Sequence, residues 1–167
     1  MTGRQKNLTD RDWLKRACEE TLMQSGNITT KTGVIVVRGG VELIIATNTR
    51  DASCVEGLLY EPDFEHKHAH SRAIILAGRE RKNTKGGIMY SPIFPCESCV
   101  PYLIRGGITQ VVTHKNITDY IKSDEPNWGK SHDRARALLA RERIKIVDIL
   151  EPLGKNMIRY KGGSYDI

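Results

Sequence analysis

The sequence of residues 88–107 is IMYSPIFPCESCVPYLIRGG, and it predicts a strand followed at once by a helix. The β-branched and aromatic residues of Ile88–Phe94 are typical of a buried strand. The segment Cys96–Arg105 predicts a helix that ends at Gly106-Gly107, because glycine favours the left-handed conformation at helix ends. A strand that runs directly into a helix indicates a strand–helix–strand crossover of an open α/β sheet.

Hydrophobic periodicity predicts the remaining elements on both sides of this junction. Apolar residues at helical spacing predict a first helix over about residues 10–25, with Thr9 and Asp12 as an approximate capping box. Two β-branched runs that flank Gly39-Gly40 predict a hairpin. The predicted elements outside the first helix and the junction are strands over Val34–Arg38 and Val41–Thr47, a helix over His68–Arg81, a strand over Gln110–Thr113, a helix over Ser131–Arg143 and a strand over Ile144–Leu150. The last seventeen residues show no clear period.

The order of the elements, α-β-β-α-β-α-β-α-β, predicts the topology of the sheet. Two strand–helix–strand crossovers imply that strands three, four and five are parallel, in a five-stranded mixed sheet with helices on both faces. About thirty residues separate Thr113 from Ile144, far more than an antiparallel hairpin needs. We therefore expect a single α/β domain over residues 1–167, with its core at about residues 8–150 and a C-terminal tail over 151–167.

Composition excludes several classes of protein. The chain has 167 residues, 39% of them hydrophobic and 28% charged, which is ordinary for a globular domain and excludes disorder and collagen-like structure. Its apolar runs are far shorter than the roughly 20 residues that a membrane span requires, and its first ten residues lack a signal-peptide core. We therefore expect a cytoplasmic protein without a membrane partner, in which the four Cys residues are ligands or buried thiols. The net charge of +6 suits a phosphate-bearing partner.

Three potential metal ligands converge on the carboxyl end of the third strand, where open α/β sheets bind their ligands. Cys96 and Cys99 open a predicted helix at i, i+3 spacing, and His68 opens the preceding helix 28 positions earlier. A C-x-x-C motif alone would also fit a redox site or buried thiols. With one imidazole it makes a set that leaves the fourth tetrahedral position to water, which is typical of catalytic zinc. The sequence therefore predicts Zn²⁺ at these three residues.

The motifs around these ligands resemble the cytidine deaminase superfamily, whose signature is H-x-E…P-C-x-x-C. His68-Ala69, followed by Arg72-Ala73-Ile74, and the later Ser91–Cys99 carry the resemblance. Within the superfamily the chain most resembles deoxycytidylate (dCMP) deaminases. The further counterparts are Trp13, Gly33–Thr47, Tyr102–Ile108 and Trp128–Ile149. The resemblance covers roughly residues 8–150 and implies the three-layer α-β-α cytidine-deaminase-like fold.

The resemblance also implies a reaction and a set of contacts. The reaction is hydrolytic deamination of a cytosine nucleotide, with dCMP giving dUMP and ammonia. By resemblance, Asn48 hydrogen bonds the sugar hydroxyl and the backbone of Ala69 meets the pyrimidine carbonyl. Phe94 and Pro95 wall the ring. The basic residues that are candidates for binding the phosphate are Arg50 and Arg72.

The sequence departs from the family at the glutamate of the signature, where it has His70. In the usual mechanism this glutamate moves protons between the zinc-activated water and the base. Imidazole also moves protons, but its two nitrogens point in different directions. Four interpretations of His70 stay open: a working proton shuttle, a fold that binds its ligand without turnover, an engineered or incidental substitution, and an additional metal ligand. The last arises because three His residues alternate over residues 66–70.

Three functional classes follow. The favoured one is a zinc-dependent nucleotide deaminase with a small-molecule nucleotide as its partner. The first alternative is an inactive, zinc-stabilised nucleotide-binding or partner subunit of the same fold, and the second is a polynucleotide deaminase. An aromatic content of only 6% disfavours an extensive platform for base stacking. The family resemblance implies a homo-oligomer.

Other reactive side chains are expected to be structural. Cys18 lies on the apolar face of the first helix, which predicts a buried thiol. Trp128 is expected to anchor the helix near it. His114 and His132 are expected on loops or on helix surfaces.

Overall fold

The computed structural model describes residues 8–49 and 68–167, whose central feature is a five-stranded mixed sheet. The elements in chain order are α1 (Asp10–Gln24), β1 (Gly33–Arg38), β2 (Val41–Thr47), α2 (Ala69–Arg79), β3 (Ile88–Tyr90), α3 (Val100–Arg105), β4 (Gln110–His114), α4 (Lys115–Asp124), α5 (Pro126–Arg141), β5 (Lys145–Ile149), β6 (Ile158–Tyr160) and β7 (Gly163–Tyr165). The strands of the main sheet lie in the order β2-β1-β3-β4-β5, and β6 and β7 form a separate hairpin. No described helix is long and apolar enough to cross a membrane.

Strand pairing confirms the predicted α/β topology. β1 is antiparallel to both β2 and β3, whereas β4 is parallel to both β3 and β5. The β1–β2 hairpin turns at Gly39 and Gly40, whose φ angles of 59° and 76° require the left-handed region that glycine adopts without strain. The predicted capping box is also present at the start of α1, where the backbone N–H of Asp12 donates to Thr9 Oγ1 at 3.2 Å.

Apolar side chains cover both faces of the main sheet, because neighbouring residues of a strand point to opposite sides. Val111 of β4 belongs to a core formed with α2, α3 and α5, whereas Val112 belongs to a core formed with α1, α4 and the β6–β7 hairpin. Full burial of an aliphatic side chain such as Leu14 or Leu139 stabilises the fold by about 2 kcal/mol. Both faces of the main sheet are therefore closed by packing.

The central junction is less regular than predicted. β3 ends at Tyr90 rather than at Phe94, because Pro92, two residues further on, has no N–H to donate to a neighbouring strand. The predicted helix over Cys96–Arg105 is a 3₁₀ turn over Glu97–Cys99 followed by α3.

Two further elements lie where the sequence predicts none. α4 follows β4 without a loop and buries Ile117, Thr118 and Ile121 on one face. The helix predicted to begin at Ser131 begins instead at Pro126, whose fixed φ angle suits the first helical turn. The tail forms the β6–β7 hairpin, which packs Ile158 and Tyr160 into the core on the α1 face.

Candidate metal centre and active site

One imidazole nitrogen and two sulfur atoms converge beyond the carboxyl end of β3. His68 Nδ1 lies 3.6 Å from Cys96 Sγ and 3.8 Å from Cys99 Sγ, and the two sulfur atoms are 3.4 Å apart. A tetrahedral zinc ion, with bonds of about 2.3 Å to sulfur and about 2.0 Å to nitrogen, holds such ligands roughly 3.5–3.8 Å apart. The donor atoms therefore fit one zinc ion with shifts of a few tenths of an ångström. The described residues contain no second group of three or more potential ligands.

Turns and helix starts hold these donors in place. His68 is the N-cap residue of α2, and its carbonyl accepts hydrogen bonds from the backbone of Arg72 and from Ser71 Oγ at 3.0 and 3.1 Å. Cys96 is the N-cap residue of the 3₁₀ turn, whose i+3 repeat places the Cys99 sulfur beside its own. The donor set is thus preorganised by the local backbone.

The two cysteine side chains shift each other's pKa in opposite directions, that of Cys96 downwards and that of Cys99 upwards. The 3.4 Å contact between the two sulfur atoms is the main cause that lowers the pKa of Cys96 well below its usual value, and the neighbouring His68 lowers it further. A thiolate is the form of cysteine that binds metal ions. The lowered pKa of Cys96 therefore favours the thiolate form that a metal ion requires.

His70 is buried beside this donor set in the first turn of α2, with 4% of its surface exposed. Its Nε2 lies 3.2 Å from the carbonyl oxygen of Ile93. Because a carbonyl oxygen only accepts hydrogen bonds, Nε2 carries the hydrogen and Nδ1 is the basic nitrogen. Burial is the main cause that lowers the pKa of His70 to about 4, so the ring is neutral at pH 7. A neutral base therefore stands where the family has a carboxylate.

Aromatic and cationic side chains support the wall of the site. The Phe94 ring is buried, and the guanidinium of Arg136 lies over it at 4.6 Å from the ring centroid. Arg136 also donates two hydrogen bonds of 3.1 Å to the carboxylate of Asp148 on β5. The ring of His132 lies between Phe94 and Trp128, with centroid distances of 5.8 and 5.6 Å. The orientation of Phe94 is thus fixed by α5.

The surface position predicted for His132 and His114 is wrong. His132 has only 4% of its surface exposed, and burial is the main cause that lowers its pKa to about 4. His114 is fully buried at the end of β4, where Nε2 lies 3.3 Å from the carbonyl oxygen of Glu151. One signal for His132 was present in the sequence, because Trp128, His132 and Arg136 recur at i, i+4 spacing and so share one helical face. The predicted burial of Cys18 is confirmed.

Asn48 is buried at the end of β2, and its amide is engaged by the segment between α1 and β1. Its Oδ1 accepts hydrogen bonds from Ser25 Oγ at 2.6 Å and from the backbone of Thr32 at 2.9 Å. Its Nδ2 donates to the carbonyl of Thr30 at 2.8 Å. These bonds give Asn48 a structural role, and contact with a sugar hydroxyl stays a prediction.

The other predicted substrate contacts lie on the elements that hold the donors. Ala69 is the first residue of α2 and is buried, Pro95 is buried directly before Cys96, and Arg72 is half-buried one turn further along α2. Arg50 lies outside the described residues. Their contacts with a substrate stay predictions.

The sequence comparison identifies the family. The family model for the cytidine and deoxycytidylate deaminase zinc-binding region matches residues 8–115, roughly two thirds of the chain. The chain belongs to this family. The match includes the three donor residues and His70, and zinc is the cofactor that this family region and the donor set both indicate. No curated protein sequence matches the chain significantly.

Several solved structures, among them those of two deaminases, share the fold. The apo dCMP deaminase of cyanophage S-TIM5 gives a TM-score of 0.60 at 17% identity over 84% of this chain and 96% of that chain. The Thermotoga maritima diaminohydroxyphosphoribosylaminopyrimidine deaminase/5-amino-6-(5-phosphoribosylamino)uracil reductase gives 0.59 at 20% identity over 83% of this chain but only 36% of that chain. A variant of NE0047 in complex with 8-azaguanine gives 0.62 at 12% identity over 85% and 77% of the two chains. These likenesses show the fold and select no substrate.

Proposed function

We propose that the chain catalyses the zinc-dependent hydrolytic deamination of a cytosine nucleotide, converting dCMP to dUMP and ammonia. The observation that supports this best is the convergence of His68, Cys96 and Cys99 with donor atoms no more than 3.8 Å apart. Two thiolates and one imidazole are the ligands of a catalytic rather than a structural zinc ion, since the fourth position stays open.

Zinc held by these side chains would lower the pKa of a water molecule towards neutrality and so supply the nucleophile at pH 7. The proton movements then fall to His70. Its Nδ1 would accept one proton of the water and deliver it to N3 of the ring, and would then pass the hydrogen of the new C4 hydroxyl group to the departing amino group. The bond from C4 to oxygen forms and the bond from C4 to nitrogen breaks, so that one water is consumed and one ammonia leaves.

The properties of His70 set the expected rate. Its hydrogen bond to the Ile93 carbonyl leaves a single nitrogen for proton transfer, whereas a carboxylate offers two oxygens to the water and the base. A buried neutral imidazole also adds no negative charge beside the cation. We therefore expect slow turnover, and a His70→Glu variant that is faster than the natural chain.

The substrate contacts follow the same arrangement. Phe94 and Pro95 would flank the pyrimidine, and the backbone of Ala69 would meet its carbonyl. The sugar and the phosphate would be contacted by Asn48, Arg50 and Arg72. A free nucleotide substrate fits a cytoplasmic enzyme, and the family resemblance supports a homo-oligomeric assembly.

A second function is favoured by the environment of His70. A base that is buried and bonded to a backbone carbonyl is also what a non-catalytic subunit would contain, with zinc retained to stabilise the fold. Such a protein would bind the nucleotide without releasing ammonia. The two functions share the metal site and differ only in turnover.

The test measures ammonia release by the zinc-loaded chain with dCMP, CMP, cytidine and single-stranded DNA as separate substrates. The natural chain should release ammonia with dCMP, the His70→Glu variant should be at least tenfold faster, and His70→Gln should lose at least tenfold in kcat. Zinc content and nucleotide affinity are measured for all three as matched controls. Turnover by His70→Glu alone would establish the binding function, and preference for single-stranded DNA would establish a polynucleotide deaminase.

A further inference from the structure

The amino ends of the parallel strands form an edge that is crowded with cations. Four segments meet there (residues 38–41, 79–87, 105–109 and 141–145), because Val37 pairs with Ile88, Ile88 with Gln110 and Gln110 with Lys145. The exposed basic side chains of these segments, termed the basic edge, are Arg38, Arg79, Arg81, Lys82, Lys85, Arg105, Arg141, Arg143 and Lys145. Backbone hydrogen bonds from Gly86 to Gly107 and from Lys145 to Thr109 hold neighbouring segments together.

The net positive charge of this edge exceeds that of the whole protein. The four segments contain nine basic and two acidic residues, a net charge of +7, whereas the whole chain has +6. Glu80 pairs with Lys82 and Glu142 with Arg141, which leaves seven cations without an acidic partner inside the segments. Asp10 approaches from the α1 face, but its carboxylate already accepts hydrogen bonds from Tyr90 and Gln110. The basic edge therefore repels a second copy of itself and attracts a polyanion.

Two of these cations occupy backbone positions that suit glycine better. Arg81 and Arg143 follow the C-terminal ends of α2 and α5 with φ angles of 55° and 58°. Glycine adopts this left-handed conformation without steric cost, whereas arginine does not. The helix dipole compensates in part, because cations are favoured at helix C-termini. Replacing either arginine by glycine thus removes a charge without threatening the fold.

The chemistry of the edge favours the phosphates of a nucleic-acid duplex. Six of the nine cations are arginines, whose planar guanidinium groups bind phosphate oxygens in pairs. The four segments contain no Phe, Tyr or Trp, so the edge offers no platform on which unpaired bases could stack. It contains Val41 as its one exposed large apolar side chain, which gives little surface for insertion into a lipid bilayer.

We propose that the basic edge binds the phosphate backbone of duplex nucleic acid without reading its sequence, at the end of the sheet opposite the metal donors. The length of β4, roughly 13 Å, separates the two ends, so that a duplex on the basic edge leaves the metal site open. The duplex is a binding partner and not a substrate. The proposal does not depend on the proposed function, because binding is measured without turnover.

The test compares two triple variants that lose the same net charge. Arg81→Gly/Lys85→Gln/Arg143→Gly removes cations from the basic edge, and Lys122→Gln/Lys130→Gln/Lys155→Gln removes exposed cations elsewhere. Fluorescence anisotropy with a labelled 20-base-pair DNA duplex, between 50 and 200 mM KCl, gives the affinity and its salt dependence. The edge variant should bind about tenfold more weakly at 100 mM KCl, and its salt slope should fall by up to about 2.7, which is 0.9 for each lost phosphate contact. The control variant should change affinity less than threefold.

Several results would overturn the proposal. They are equal losses in the two variants, no binding of the natural chain at 50 mM KCl, and tighter binding of a single strand than of the duplex. A fourth is an interaction confined to vesicles that contain phosphatidylserine, which would make the edge a membrane surface. Unchanged zinc content, and a melting temperature no lower than that of the natural chain, confirm that both variants are folded. Ammonia release by the natural chain, measured separately, reports on the proposed function alone.

Discussion

The two ends of the parallel strands carry opposite kinds of polar surface. At the carboxyl end, the thiol, imidazole and amide groups are largely buried, and each is held by one or more neighbours at hydrogen-bond distance. At the amino end, nine basic side chains are exposed, and most of them have no acidic partner within their own segments. The two ends of one sheet can therefore serve different purposes. A reaction needs preorganised groups in a low dielectric, whereas long-range attraction of a charged partner needs only exposed charge.

The difference predicts how each end responds to substitution. Buried groups in contact are strongly coupled, so the loss of one changes the protonation and geometry of the others. Exposed charges act nearly independently and are screened by salt. Substitutions at the carboxyl end should therefore have large effects that salt leaves unchanged, and those at the amino end should be small, additive and sensitive to salt.

The largest effect is expected for Cys96→Ser. Serine replaces a thiolate ligand by a hydroxyl that binds zinc poorly, and zinc affinity should fall at least about a thousandfold, roughly 4 kcal/mol. Competition with a chromophoric chelator measures the affinity, and thermal unfolding with and without zinc measures its coupling to the fold. Cys18→Ala is the matched control, because this buried thiol lies in the core on the opposite face of the sheet. Full zinc affinity of Cys96→Ser would contradict the assignment of Cys96 as a zinc ligand.

The next effect is the pH dependence of stability that His132 contributes. Its pKa is about 4 in the folded chain and about 6.5 when unfolded, so between these values the unfolded chain binds one more proton. The stability from this group is complete above pH 6.5 and is lost as the pH falls towards 4, by at most about 1.4 kcal/mol per pH unit.

Urea unfolding of the natural chain and of His132→Leu between pH 4.5 and 7.5 isolates this contribution. The variant should show a flatter rise of unfolding free energy with pH, whatever its stability at pH 7. Both proteins keep the same metal ligands and His70, so the difference between the two curves is dominated by the loss of the His132 imidazole. Parallel curves would contradict the buried, neutral state of His132.

The features that local sequence determines could be predicted, and those that tertiary packing determines could not. The β-branched runs around Gly39-Gly40, the parallel strands and the spacing of His68 to the Cys pair carry strong local signals, and the structure confirms the fold that they imply. The ligand residues can be recognised in the sequence because they lie at or near the start of a helix or a turn, and the ends of such elements have characteristic residues.

The errors have a common physical cause. α4, the β6–β7 hairpin and the burial of His132 depend on neighbours that are distant in the chain: the two terminal strands have three residues each and are held by contacts with Tyr120 and the α1 face. Helix and strand periodicity cannot report such contacts. His132 is polar in isolation, and only its position between Phe94 and Trp128 makes it a core residue.

A smaller effect is expected for Arg136→Met, which keeps much of the side-chain volume. It removes the cation from the face of Phe94 and the paired hydrogen bonds to Asp148, and should destabilise the chain by about 1 kcal/mol. Chemical unfolding of Arg136→Met measures the loss, and Arg134→Met on the same helix is the control that leaves Phe94 in place. Equal stability of all three chains would contradict a stabilising role of Arg136 against Phe94.

The smallest effect has the opposite sign. Arg143→Gly relieves a left-handed backbone conformation at the end of α5 and should stabilise the chain by about 0.5–1 kcal/mol, although the more flexible unfolded chain offsets part of this gain. Thermal unfolding at low and high salt measures it, with Lys155→Gly as a control for glycine outside a left-handed position. A loss of stability at both salt concentrations would show that this arginine makes a contact that the fold needs.

The most direct test of the central claim is X-ray absorption at the zinc edge of the purified, zinc-loaded chain. We expect one zinc ion per chain with two sulfur scatterers at about 2.3 Å and two nitrogen or oxygen scatterers at about 2.0 Å. Zinc without sulfur scatterers, or no stoichiometric zinc after loading, would contradict it.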